Sequence, residues 1–354
     1  MNPLWSPLVG RLTPYVPGEQ PKIQNLIKLN TNELPHPPSP RVIAAIQEAA
    51  ASLQLYPDPE STALRSAIAR RFDLEASQVF VGNGSDEVLA HAFQAFFNHG
   101  DPVLFPDVTY SFYPVYCELY GLTFRKIPVN DDLQIQAGDY AGPCSGVVIP
   151  NPNAPTGQIL TPEDIRTILK AVPDRVVLID EAYVDFGATS SSALINEFPN
   201  LLVVQTLSKS RGLAGLRVGF AMGHPSLIEA LTRVKDSFNS YPLDRLAQAG
   251  AQAAIEDETW LQETTAKIIA TRTVLTSELS KLGLRVLPSG ANFVYASHTD
   301  RDAATLAARL RERGIIVRHL KGPRTSDWLR ITIGTDDQCA KLIEELRDIL
   351  LCND

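Results

Sequence analysis

The chain has 354 residues, 44% of them hydrophobic and 20% charged, which is globular composition and excludes a largely disordered chain. At roughly 150 residues per domain the length suggests about two domains. Lys and Arg number 32 against 40 Asp and Glu, a net charge of −8 spread along the chain, so a basic nucleic-acid footprint is excluded.

Residues 1–39 are rich in proline and lack periodicity; they read as an irregular arm tied down by apolar anchors such as Trp5 and Leu8. No basic n-region and no apolar h-region stand at the start, so no signal peptide is expected. The spacing of Val42, Ile43, Ile46, Ala49, Ala50 and Leu53 predicts a helix from Pro40 to Leu53, and Leu64, Ile68 and Phe72 mark a second. From about residue 79, β-branched runs alternate with helical stretches. Strands are expected at Val79–Val81, Val103–Phe105, Val147–Ile149, Val176–Ile179, Leu201–Leu207 and Arg217–Met222, with helices near 86–97, 162–171 and 225–238. Several of these strands are continuously apolar, the pattern of strands buried on both faces in a mostly parallel sheet. Residues 40–250 therefore read as one large α/β domain. A long helical stretch follows at about 256–282. The rest alternates: strand Arg285–Leu287, strand Asn292–Ala296, helix 302–313, strand Ile315–His319, strand Leu329–Ile333 and helix 337–351. This makes 251–354 a smaller α+β domain. No apolar run approaches the roughly 18 residues of a membrane helix. Cys117, Cys144, Cys339 and Cys352 are scattered without a CxxC, which fits a reduced, cytoplasmic protein. No HxxxH or HxH pair is present, so no metal site is expected.

Four local features, each weak alone, gather chemistry at the carboxyl edge of the expected sheet, where ligands of open α/β folds bind. The strand Val176–Ile179 runs into Asp180, Glu181, Ala182 and Tyr183. A buried carboxylate there wants a cation, although a helix cap or a Mg²⁺ ligand would look the same. Strand Leu201–Leu207 runs into Ser208 and Lys209; a partly desolvated lysine near Arg211 and Arg217 would be an amine nucleophile, whereas most lysines are solvated. Gly82-Asn83-Gly84-Ser85-Asp86-Glu87 joins a strand to a helix, as an anion cup or an ordinary turn. It is neither a dinucleotide fingerprint nor a Walker loop. Asn151-Pro152-Asn153-Ala154-Pro155-Thr156-Gly157 is a rigid turn at the same edge, and Tyr110 offers an aromatic platform. A phosphorylated pyridine aldehyde would use all of these groups at once.

With those residues in view, the chain resembles the fold-type I pyridoxal-phosphate aminotransferases, and among them the histidinol-phosphate aminotransferase family. The likeness runs from Tyr15-Val16-Pro17-Gly18 and Lys28-Leu29-Asn30-Thr31-Asn32-Glu33, through Tyr56-Pro57-Asp58, GNGSDE, PTG and DEAY, to Thr206-Leu207-Ser208-Lys209-Ser210-Arg211-Gly212-Leu213-Ala214-Gly215-Leu216-Arg217-Val218-Gly219 and Leu329-Arg330-Ile331. It implies a seven-stranded, mostly parallel sheet sandwiched by helices, a smaller C-terminal domain, and an arm touching the small domain and a partner subunit. It implies pyridoxal 5'-phosphate, carried covalently by Lys209, with Asp180 at the ring nitrogen, Tyr183 at the ring O3′ and Tyr110 stacked on the ring. Gly84, Ser85, Asp86, Thr206, Ser208 and Arg217 would surround the phosphate, and Tyr56 would reach the neighbouring subunit's cofactor in a homodimer with shared active sites. Tyr15, approaching across the dimer, Asn32, Arg318 and Arg330 would hold the substrate. The family has Asn directly before Pro-Thr-Gly; here it is Ala154, for which Asn153 or Tyr183 would compensate. The implied reaction is ping-pong transamination between histidinol phosphate and 2-oxoglutarate in histidine biosynthesis. An aromatic-amino-acid aminotransferase or a threonine-phosphate decarboxylase shares most of these motifs. A non-enzymatic binding protein on a degenerate scaffold is disfavoured, because Lys209, Asp180, Tyr183 and Arg217 are all present.

Overall fold

A computed structural model describes residues 3–21 and 25–351. The large sheet holds the strands β2 (Val79–Gly82), β3 (Val103–Pro106), β4 (Phe124–Ile127), β5 (Gly146–Pro150), β6 (Val177–Asp180), β7 (Leu201–Thr206) and β8 (Gly219–Gly223), in the order β2-β8-β7-β6-β5-β3-β4. All neighbours run parallel except β8, which is antiparallel to β7 and β2. The continuous apolar runs have a plain cause. Alternate residues of one strand serve two different cores: Val147, Ile149, Val177 and Ile179 pack on one face, Val148 and Leu178 on the other. On the first face lie α1 (Pro40–Ala49), α2 (Thr62–Phe72) and α5 (Pro162–Ala171); on the second lie α3 (Ser85–Phe96), which buries Val88, Leu89, Ala92, Phe93 and Phe96, and α6 (Pro225–Asp236).

The second sheet has the order β1-β11-β12-β10-β9, built from β1 (Ile27–Leu29), β9 (Leu284–Val286), β10 (Phe293–His298), β11 (Ile315–His319) and β12 (Trp328–Thr332). It packs on α8 (Glu258–Lys281), α9 (Ala303–Glu312) and α10 (Asp336–Leu351) through Ile268, Leu275, Leu310, Ile331, Leu342 and Leu346.

Two expectations need correction. The arm is not wholly irregular: Ile27–Leu29 is a strand, parallel to Ile315–Val317. Trp5 and Leu8 do not anchor the arm to this chain, being 55% and 36% exposed. The long helix expected at about 256–282 is present as α8; Asp257, whose carboxylate caps the Trp260 N–H, separates it from α7 (Arg245–Glu256). α7, the edge strand β4, whose Phe124, Arg125 and Lys126 are exposed, and α4 (Tyr113–Tyr120) were unforeseen. Cys117, Cys144 and Cys339 are buried thiols, and Cys352 lies outside the described residues. Among the described residues no helix is long and apolar enough to cross a membrane.

Candidate active site

The parallel strands point their carboxyl ends into a cavity of about 650 Å³ that the second sheet closes from the other side. Asp180, the last residue of β6, is 6% exposed. Its carboxylate accepts from the Tyr113 hydroxyl at 2.9 Å and from the Ala182 N–H at 3.2 Å, with no ion pair among the described residues. Burial pushes its pKa up to about 6. The next residue, Glu181, turns away from Asp180 to accept from Ser190, the Ser191 N–H and Gln205, and burial raises it to about 7.

Lys209 follows β7 by three residues. Its amine has one weak hold, the Thr31 carbonyl at 3.3 Å, and stands 5.8 Å from the centre of the Tyr183 ring. Arg211, expected near it, points elsewhere: it is buried against the Ala254 carbonyl and Glu258. Tyr183 sets its ring edge-on to Phe293 and takes a hydrogen bond from Asn32 Nδ2 at 3.0 Å.

Opposite Asp180 lies an anion cradle. Ser85 opens α3, so its turn presents unpaired backbone N–H groups. Gly84 bends into it at φ +87°, where a Cβ would stand 2.6 Å from the Arg217 guanidinium. Arg217 reaches Asp86 at 3.1 Å and Ser208 Oγ at 3.4 Å, and Ser208 is bonded to Thr206 Oγ1. The Tyr110 hydroxyl donates to the other Asp86 oxygen at 3.1 Å. Burial, with Asp86 nearby, raises the Tyr110 pKa well above its ordinary value, so it stays a neutral platform.

From the second sheet come Arg318 and Arg330, directly paired across β11 and β12. Arg330 donates to the Asn30 carbonyl at 2.9 Å and lies over the Phe293 ring, and its Nε is buried without a partner. Burial, helped by the Arg318 charge, pulls its pKa down. Neither arginine has an acidic partner among the described residues, which leaves a wall ready for an anion. Tyr15 lines the cavity of its own chain, 4.8 Å from Phe112 and 6.3 Å from Tyr110 between ring centres; it does not have to cross to a partner to get there.

Two expected residues are not brought in. Asn153 gives its amide N–H to the Val108 carbonyl and faces a separate cavity beside Gln134 and Gln158. Only Ala154 of that pair lines the main cavity. Tyr56 is 79% exposed and rests on Tyr241. Two others went unforeseen. Tyr113 is one, and no local signal links it to an acid 67 residues away. Arg324 is the other: it fastens the cavity-lining turn 320–325 to Asp107 and to the Val129 and Asn130 carbonyls at 2.8–3.1 Å.

The residues fit a phosphorylated pyridine aldehyde on their own terms. A buried acid without a cation faces the cavity, a loosely held amine stands near it, and an N–H cradle with Arg217 lies opposite.

Comparison with known proteins agrees. The family model for aminotransferase class I and II matches residues 24–346. The histidinol-phosphate aminotransferase of Acetobacter pasteurianus is 67% identical over 354 residues, covering 100% of this chain and 99% of its own. That of Gluconacetobacter diazotrophicus is 63% identical with the same coverage. The crystal structure of histidinol-phosphate aminotransferase from Sinorhizobium meliloti in complex with pyridoxal-5'-phosphate superposes with a TM-score of 0.88 at 26% identity, covering 99% of this chain and 98% of that one.

Proposed function

The chain belongs to the class I and II aminotransferases and, within them, to the histidinol-phosphate aminotransferase family, and from that premise we propose how its own residues carry out the reaction. It is a pyridoxal-phosphate-dependent aminotransferase that moves an amino group from L-histidinol phosphate to 2-oxoglutarate, giving imidazole acetol phosphate and glutamate. The observation that carries this reading is one cavity holding the Asp180 carboxylate, the Lys209 amine and the unpaired Arg318–Arg330 wall. The aromatic-amino-acid and threonine-phosphate alternatives are not favoured, because relatives at 63–67% identity over the whole chain bear the histidinol-phosphate name.

Lys209 would carry the cofactor through its aldehyde. Asp180 would keep the proton on the ring nitrogen, Tyr183 would serve the ring O3′ and Tyr110 the ring face. The start of α3 with Gly84, Ser85 and Asp86, together with Thr206, Ser208 and Arg217, would hold the phosphate. When bound, the cofactor supplies an electron sink for the pair left as the substrate Cα–H bond breaks. Once the substrate amine has replaced it, the freed Lys209 amine, with the Thr31 carbonyl as its single weak hold, would take that proton as general base and return it as general acid. Arg318 and Arg330 hold the substrate phosphate in one half-reaction and a carboxylate of 2-oxoglutarate in the other, their planar forks suiting both. Tyr15 closes the substrate side.

Three further parts belong to the proposal. The chain works as a large cofactor-holding domain, 40–250, a small domain, 251–354, and an arm, 1–39. It acts as a homodimer in which Tyr56 serves the neighbouring site. It works in the cytoplasm, in histidine biosynthesis. The test of the substrate is a half-reaction: loaded enzyme is mixed with single amines and the cofactor spectrum is followed. Histidinol phosphate should discharge the visible band faster than phenylalanine, tyrosine or threonine phosphate. A faster response to any of those three would overturn the assignment.

A further inference from the structure

Tyr183 lines the cavity, and its oxygen already accepts a hydrogen bond from Asn32 Nδ2 at 3.0 Å. The far end of the same amide is also fixed. Asn32 Oδ1 accepts from the Thr332 hydroxyl at 2.9 Å, and that hydroxyl has its hydrogen to spare because its oxygen accepts the Asn32 backbone N–H at 3.0 Å. Asn292 holds the Asn32 carbonyl at 3.0 Å. Asn32 and Thr332 are 1% and 3% exposed, so water does not compete for the bonds between them. The backbone of Asn32 sits at φ +56°, a left-handed conformation that Asn tolerates better than most residues. An ordered chain of donors therefore runs from β12, through the arm, to Tyr183.

Nothing on the opposite turn shares the load: position 154 presents a methyl group, and the Asn153 amide is committed to Val108. We propose that Asn32 and Thr332 are positioning residues that fix the polarity of the Tyr183 hydroxyl, occupying its oxygen so that its O–H donates into the cavity. This rests on the cofactor reading above. It gives Asn32 a second task, because the amide that bonds Tyr183 and Thr332 belongs to a residue that also lines the cavity.

A neutral donor aimed at a phenolic oxygen favours the deprotonated form of the group it touches. Losing it raises the pH at which the cofactor's visible band titrates. The experiment uses the loaded enzyme and reads that midpoint in wild type, Asn32→Gly, Thr332→Val, Tyr183→Phe and the Thr332→Val/Tyr183→Phe pair. Gly suits the positive φ and adds no charge. Thr332 does not line the cavity, so its variant probes the chain of bonds and not contact with the cofactor. Asn32→Gly and Thr332→Val should each raise the midpoint by about half a pH unit or more, in the direction of Tyr183→Phe. Thr332→Val should add nothing once Tyr183 is Phe. If Asn32→Gly fails to fold, Thr332→Val decides alone. Unshifted midpoints, or an equal Thr332→Val shift in the Tyr183→Phe background, would overturn the inference while leaving the function intact. A wild type that takes up no cofactor would overturn both.

Discussion

Asp180 is an acid held where an acid is costly. Its carboxyl titrates near 3.8 when exposed and at about 6 when buried here without a cation. Between those values the folded chain holds the proton more tightly than the unfolded one, so stability falls as the pH rises through the window, and the full cost is present above about 6. Asp180→Asn removes that titration while keeping an acceptor for the Ala182 N–H. In the cofactor-free protein, the stability of the variant relative to wild type should therefore rise between about pH 4 and 6 and stay flat above, by about 3 kcal/mol at most. Denaturant melts at several pH values read it, and a pH-independent difference would contradict the account. The same variant should lose activity, since a neutral amide cannot hold a charged ring nitrogen. Arg330 makes the complementary case at the substrate end. Arg330→Ala should cost about 2 kcal/mol in kcat/KM for the phosphorylated substrate, the loss of one charge-assisted pair. Unchanged kinetics would mean that the arginine does not touch substrate. Asp180 and Lys209 could be read from the sequence because each follows an apolar strand of obvious type. Asn153 misled because the backbone bonds of its turn, to Gln158 and Gly157, decide where its side chain points.

Glycine spacing shows how elements are fitted together around the start of α3, the proposed phosphate cradle. Gly219 opens β8 against the start of α3: a Cβ there would meet the Ser85 nitrogen at 2.3 Å and the Gly84 carbonyl carbon at 2.5 Å. These are backbone atoms and cannot step aside singly. Gly219→Ala should push the N-terminus of α3 out of place and weaken cofactor binding about tenfold or more, read by titrating apo protein with the cofactor. Binding within twofold of wild type would show that the close fit is dispensable. At this scale the buried strands were legible because both faces of the sheet are covered. β4 was not, since its exposed Phe124, Arg125 and Lys126 give an edge strand no apolar signature. β1 escaped because three residues become a strand only beside Ile315–Val317. α7 escaped because its alanines and Gly250 pack by being small: a Cβ on Gly250 would meet Ile46 and Leu216 at 2.9 Å.

The molecule as a single chain leaves a set of apolar side chains in water: Ile43, Leu53, Leu55, Tyr56, Phe238 and Tyr241 are between 43% and 79% exposed. Patches of that kind mark association surfaces. The proposed homodimer would cover them and bring Tyr56 to a second cavity, something no pattern within one sequence could place. A variant with weakened cofactor retention and one without the amine should then rescue each other. Tyr56→Phe mixed and refolded with Lys209→Ala should regain part of the activity, because one hybrid site carries both native residues. Absence of rescue in verified heterodimers would count against a shared site.

The proposed chemistry depends on the Lys209 amine as the point of cofactor attachment. Loaded enzyme reduced with borohydride and digested should carry the cofactor mass on the peptide containing Lys209, and Lys209→Ala should lose both the label and the visible band. A label on another lysine, or a Lys209→Ala protein that keeps a reducible adduct, would contradict it.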